Sequence, residues 1–247
     1  MCGIIGFIGI NNTFDYILNG LKQLQNRGYD SAGICLYDKV FNIHKFVSDE
    51  KSSAMSKIDK MQNYKNTKIG IGHTRWATHG KINEDNCHPH ISSDGNICII
   101  HNGIIENYKE IKSFLIKKGV KFYSETDTEV ICNLISYYNR DNNILIAIKK
   151  TISIMTGTWG LVILKKGDNR VFFTRLGSPI LVGINNEEQY GIITSEKSGF
   201  CNKITEYIVL DNNDICFLEN TDNKINFFSE KSLTTIDRNY INFTNSF

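Results

Sequence analysis

The chain has 247 residues, 41% hydrophobic and 22% charged, with a formal net charge of +2. That is enough apolar chain for one large core, and the near balance of charge argues against a nucleic-acid or membrane-surface partner. No apolar run approaches the ~18 residues of a spanning helix. The first residues have neither a charged lead nor a cleavage signal, and the seven scattered cysteines lack a CxxC pair, which fits reduced thiols in a cytoplasm.

The elements follow in chain order. Cys2 to Ile10 is apolar with Gly3, Gly6 and Gly9 interspersed, and reads as a buried strand. Phe14 to Gln25 places Ile17, Leu18, Leu21 and Leu24 on one helical face. Ala32–Tyr37 and Asn42–Phe46 form a hairpin pattern, and Ile69–Gly72 and Ile97–Ile100 are short strands. Asn107 with Glu110, and Thr126 with Glu129, have the spacing of capping boxes before apolar helical patterns, and Lys117-Lys118-Gly119 closes the first of these helices. A third helix spans Ile144 to Met155. After Gly157 the pattern turns to strands, at Leu161–Leu164, Val171–Thr174, Ile180–Ile184, Gly191–Thr194, Tyr207–Leu210, Ile215–Leu218 and Ile225–Phe228. Helices between two groups of strands predict two sheets with helices on their outer faces. Residues 231–247 are polar with isolated apolar positions and read as a tail or linker.

Six segments are candidates for chemistry. Cys2 follows the initiator methionine and is small, so removal of Met1 would give one residue a thiol and a free α-amine, nucleophile and general base together. A buried structural cysteine is the plainer alternative. His73-Thr-Arg-Trp-Ala-Thr-His-Gly80 follows a strand. There Arg75 offers a bidentate partner to a carboxylate, Thr78 a hydroxyl, and Trp76 a cover that excludes water. A loop held by an arginine–aspartate pair, with Trp76 in the core, is the structural counterpart. His101-Asn-Gly-Ile-Ile-Glu-Asn107 offers the Asn102 amide and the Gly103 N–H to one developing oxyanion, or else only an Asn-Gly turn. Ser124-Glu-Thr-Asp-Thr-Glu129 sets three carboxylates at a helix start, where the dipole alone favours them, or where Asp127 receives a substrate ammonium. Arg27-Gly-Tyr-Asp-Ser-Ala-Gly33 ends the first helix, with Asp30 read as structural. Cys87-His88-Pro89-His90 has zinc-type donors, but His88 and His90 should point to opposite sides of an extended stretch, so packed histidines are expected and no metal.

Together these motifs resemble the glutaminase domain of the isomerising glutamine–fructose-6-phosphate transaminases, among the class II, N-terminal-nucleophile glutamine amidotransferases. Gly157-Thr-Trp-Gly160 and Gly177-Ser-Pro179 continue the resemblance, which covers about residues 1–230. It implies an α+β fold, the four-layer α/β/β/α sandwich of N-terminal nucleophile hydrolases. It implies Cys2 as nucleophile, with Asn102 and Gly103 as the oxyanion hole. Arg75 and Asp127 would bind the α-carboxylate and α-ammonium of L-glutamine. Trp76, Thr78 and His79 would line a covering loop, with Arg27 a neighbour of the nucleophile. No cofactor is implied. Glu196 stands where this family commonly carries Asp. The family's sugar-isomerase part, and any homo-oligomer formed through it, would lie beyond Phe247. A silent regulatory domain, or a hydrolase of another amide, are the rival readings; the Arg75 and Asp127 pair argues against the latter.

Overall fold

The computed structural model describes residues 2–25, 30–61, 67–76 and 83–230, together with the backbone of 241–242. Strand β1 (Gly3–Gly9) is buried along its whole length. Its side chains alternate between two cores: Ile4 and Ile8 join one cluster, Ile5 and Phe7 another. That is the period-two pattern of a strand covered on both faces.

The other elements are α1 (Thr13–Gln23), β2 (Ser31–Asp38), β3 (Val40–Val47), α2 (Ala54–Asp59), β4 (Ile69–Arg75), β5 (His90–Ile91) and β6 (Ile97–Ile105). They continue with α3 (Tyr108–Lys117), α4 (Asp127–Asn139), α5 (Ile144–Ile154), β7 (Gly157–Lys165), β8 (Arg170–Leu176), β9 (Leu181–Asn185) and β10 (Tyr190–Thr194). Last come β11 (Glu206–Val209), β12 (Ile215–Thr221), β13 (Lys224–Ser229) and β14 (Ile241–Asn242). One sheet has eight strands in the order β14-β11-β9-β10-β1-β4-β2-β3, the other six in the order β13-β12-β8-β7-β6-β5. Their ladders are antiparallel.

Three cores separate the layers. Ile4, Ile71, Cys98, Ile100, Val162 and Phe173 pack between the sheets. Ile17, Leu21 and Met55 from α1 and α2 seal the outer face of the eight-stranded sheet. Leu115, Ile131, Ile135 and Ile148 from α3, α4 and α5 seal the outer face of the six-stranded sheet against Ile99 and Ile163. The result is an α/β/β/α sandwich, as expected. Close seating of α1 depends on missing side chains in β4. A Cβ at Gly72 would lie 2.6 Å from Ile17 Cγ2 and 3.0 Å from Leu21 Cδ1, so Gly72→Val would push the helix off the sheet.

Several local expectations change. Strand β6 does not stop at Ile100 but runs to Ile105, so Asn102 and Gly103 lie in a strand rather than a turn. Asn107 precedes α3 without capping it by its side chain. It donates instead to Ile154 O at 2.7 Å and accepts from Thr156 N at 2.9 Å, tying α3 to the end of α5. The polar C-terminal stretch contributes the backbone of Ile241–Asn242, which pairs with β11 as an edge strand.

Candidate active site

Cys2 stands at the head of β1, and that head is anchored from both flanking strands. Gly3 N donates to Thr74 Oγ1 at 3.2 Å, and Ile4 N to Ser195 Oγ at 3.0 Å. A third anchor crosses from the other sheet: Asn102 Nδ2 donates to Cys2 O at 2.8 Å. The Trp76 backbone N–H faces Cys2 Sγ at 3.4 Å. Burial pushes the Cys2 thiol up, while that N–H and the Arg75 guanidinium pull it back toward the thiolate.

Arg75 is the last residue of β4 and is 7% exposed. Its carbonyl accepts from Asp30 N at 3.2 Å, which ties the strand end to the segment entering β2. Asp127 opens α4, whose Thr126 cap accepts from Glu129 N at 3.3 Å. Asp127 Oδ2 accepts from Ile105 N at 2.8 Å, so the carboxylate is fixed to the end of β6. The Glu129 side chain does not reach back to its cap. Its buried carboxylate accepts from Tyr123 N at 2.8 Å and from Ser124 N and Oγ at 2.7 Å each, and so folds the loop that delivers Asp127.

Beneath the site lie four buried histidines, His73, His88, His90 and His101. The His88 and His90 rings do not point to opposite sides. They meet edge-to-face at 4.9 Å, because β5 begins only at His90 and strand alternation does not extend back to His88. His88 Nε2 and His101 Nδ1 share the Thr128 hydroxyl at 2.9 and 3.1 Å, and His90 Nε2 meets the Thr126 hydroxyl at 3.1 Å. His73 stacks on His88 with centroids 4.0 Å apart. Burial lowers all four: His88 and His90 go well below the ordinary range and His73 to about 3, while Asp127 partly offsets the effect at His101. They are neutral rings that position their neighbours. Among the described residues no cluster of three or more His, Cys, Asp or Glu side chains has the arrangement to hold a metal ion.

Above them opens a cavity of about 840 Å³. Cys2, Arg75, Trp76, Asn102, Gly103 and Asp127 all line it. Trp76 is 44% exposed at its mouth, not in the core. Gly103 has φ +136°, and a Cβ there would sit 2.1 Å from Thr158 O, so the position admits only glycine. Strand β5 pairs with Cys98 and Ile99, and among the described residues that edge of β6 has no strand partner at Gly103. Arg27, Thr78 and His79 lie outside the described residues. Sequence reasoning did not single out Thr74 or Ser195 as anchors, nor His73 as a partner of Asn102. Ser178 and Pro179, from the Gly177-Ser-Pro179 motif, also line the cavity.

A nucleophile candidate, a cation, an anion and an amide donor thus converge on one cavity between two sheets. The fold is the four-layer sandwich of the N-terminal nucleophile hydrolases. It superposes on the glutamine phosphoribosylpyrophosphate amidotransferase of B. subtilis, solved with ADP and GMP, with a TM-score of 0.75 at 23% identity, over 95% of this chain and 50% of that one. Residues 49–220 match the glutamine amidotransferase domain family, and the chain belongs to that family. It is 39% identical over 231 residues to a probable isomerising glutamine–fructose-6-phosphate aminotransferase of Acanthamoeba polyphaga mimivirus, across 91% of this chain and 38% of the relative. It is 46% identical over 194 residues to the Campylobacter jejuni glutamine–fructose-6-phosphate aminotransferase, across 77% of this chain and 32% of the relative. The chain therefore spans less than two-fifths of the length of these curated relatives.

Proposed function

We propose that this domain hydrolyses L-glutamine to L-glutamate and ammonia, with Cys2 as nucleophile and its α-amine, freed by loss of Met1, as general base. The observation that carries the reading is the convergence of Cys2, Arg75, Asn102 and Asp127 on one cavity. Arg75 and Asp127 carry the opposite charges that the two ends of a free α-amino acid require. Glutamine held by them presents its side-chain amide toward the head of β1.

The chemistry balances without a cofactor. The α-amine takes the thiol proton, and the thiolate adds to the amide carbon. The Asn102 Nδ2–H and the Gly103 N–H receive the developing oxyanion. Collapse expels ammonia, which leaves with the proton held by the amine, and a γ-glutamyl thioester remains. Water, deprotonated by the same amine, adds to the thioester; glutamate departs and the proton returns to sulfur. Each proton moves only between the amine and an atom bonded to the reacting centre.

In the longer relatives' context, the ammonia would aminate fructose 6-phosphate in a sugar-isomerase part that adjoins this domain. The names of those relatives and the share of them that this chain spans support that role. A cytoplasmic setting suits the scattered cysteines, which lack a CxxC pair. The test follows glutamate and glucosamine 6-phosphate together in the purified chain, with and without fructose 6-phosphate. Glutamate without amino sugar is the expected result. Amino-sugar formation would reveal a second active site, and no glutamate from protein with a free Cys2 amine would mean a silent domain.

A further inference from the structure

We propose that His73 is the positioning residue of the oxyanion donor, its neutral Nε2–H tautomer setting which end of the Asn102 amide faces Cys2; this rests on the glutaminase reading above. Three acceptors and one ring nitrogen decide the arrangement. His73 Nε2 lies 3.1 Å from His101 O and 3.0 Å from Asn102 Oδ1. A backbone carbonyl only accepts, so the contact with His101 O requires a hydrogen on Nε2. That N–H then also points at the Asn102 amide, and it selects the carbonyl end. The opposite end, Nδ2, is turned to Cys2 O at 2.8 Å. One of its two hydrogens is engaged there, and the other remains for the cavity that Asn102 lines. Rotated by half a turn, the amide would set its oxygen against Cys2 O and its NH2 against the His73 N–H. Both contacts would be repulsive, and no donor would face the reacting carbonyl.

The ring is held in place to do this. His73 is 1% exposed, sits within β4, and stacks on His88 at a 28° interplanar angle. Among the described residues its Nδ1 has no hydrogen-bond partner, so a proton there would be a buried donor with no acceptor among them, beside the other histidines of the cluster. The same burial that keeps the ring neutral thus keeps it in one tautomer. His73 touches neither the nucleophile nor substrate in this account; it acts through Asn102.

The experiment compares His73→Leu, which removes the donor, with His73→Gln, whose side-chain NH2 replaces the Nε2–H. For each, kcat and KM for glutamine are measured on protein freed of Met1. The rate at which iodoacetamide alkylates Cys2 is read by peptide mass, since that displacement develops no oxyanion. Long-range 1H–15N NMR reads the His73 tautomer in the wild type. His73→Leu should lose about a hundredfold in kcat, the scale of a lost oxyanion donor, with KM and the alkylation rate near wild type. His73→Gln should recover most of the lost kcat. Wild-type kcat in His73→Leu, or alkylation falling in step with turnover, would overturn the proposal. So would a proton on Nδ1, a result that stands even if the leucine variant does not fold. A wild type inert toward glutamine would refute the glutaminase reading, and the tautomer would then decide the Asn102 arrangement separately.

Discussion

The Asn102 side chain, near the open edge of one sheet, hydrogen-bonds the carbonyl of Cys2, at the head of a central strand of the other, across 2.8 Å. That contact joins the two sheets at the point where chemistry is expected, so nucleophile and oxyanion donor cannot shift independently. Asn102→Ala removes the donor and the link together. Turnover of glutamine should fall by about 10²–10³-fold, with KM little changed, and steady-state kinetics check both. Unfolding in urea should show a smaller cost, about 1 kcal/mol for the lost hydrogen bond.

Substrate selection should depend on Arg75. Arg75→Ala deletes a buried guanidinium, and loss of its pairing with an α-carboxylate should cost about 2–5 kcal/mol in kcat/KM. Glutamine and its α-amidated analogue are compared in wild type and variant. The wild type should prefer glutamine strongly, and the variant should lose that preference. Equal discrimination in both proteins would reject the contact.

Much of this was legible because strand and helix periods are strong where residues are apolar. Ile17, Leu18, Leu21 and Leu24 form one face and are buried together. The misses fall where polar residues interrupt an element. In β6 the apolar run ends at Ile100, yet the ladder continues through His101, Asn102 and Gly103, whose register with β7 is unbroken. Site residues broke the hydrophobic pattern but not the hydrogen bonding. Asn107 and Glu129 had capping spacing, but tertiary partners claimed both side chains: Ile154 O and Thr156 N for one, Tyr123 N and Ser124 N for the other. Helix α2, only Ala54–Asp59, is too short to show a period. The pairing of His73 with Asn102 joins two strands in different sheets, and no local spacing encodes it.

The Glu129 carboxylate organises the loop before α4, so its loss should be felt in both stability and binding. Glu129→Ala strands the Ser124 and Tyr123 N–H groups, at a cost of about 2 kcal/mol or more. KM for glutamine should rise as well, because this loop leads into Asp127. Urea unfolding and steady-state kinetics on the same variant test the pairing of effects. A large stability loss with unchanged KM would show that Asp127 is placed without help from Glu129.

Acid should destabilise the fold before the carboxylates titrate. The four buried histidines have folded-state values below the unfolded one, and His73 is lowered to about 3. The unfolded chain therefore binds more protons as pH falls below about 6.5. Their stabilisation is fully present above that value and is lost progressively as pH falls below it, at up to about 1.4 kcal/mol per pH unit for a histidine that stays neutral in the fold. Urea unfolding between pH 7.5 and pH 5 should show a steep fall in stability toward acid. A flat profile over that window would mean that the cluster takes up protons in the folded state.

The measurement that bears most directly on Cys2 as an N-terminal nucleophile joins intact mass to glutamate release in one preparation. Protein is divided into fractions with and without Met1, each is mixed with glutamine and quenched, and Cys2→Ala is treated alongside. Glutamate should form only in the fraction lacking Met1, in proportion to its abundance. The quenched protein should carry a γ-glutamyl adduct that maps to Cys2, and Cys2→Ala should give neither product nor adduct. Full turnover by protein that retains Met1, or by Cys2→Ala, would contradict the mechanism at its first step.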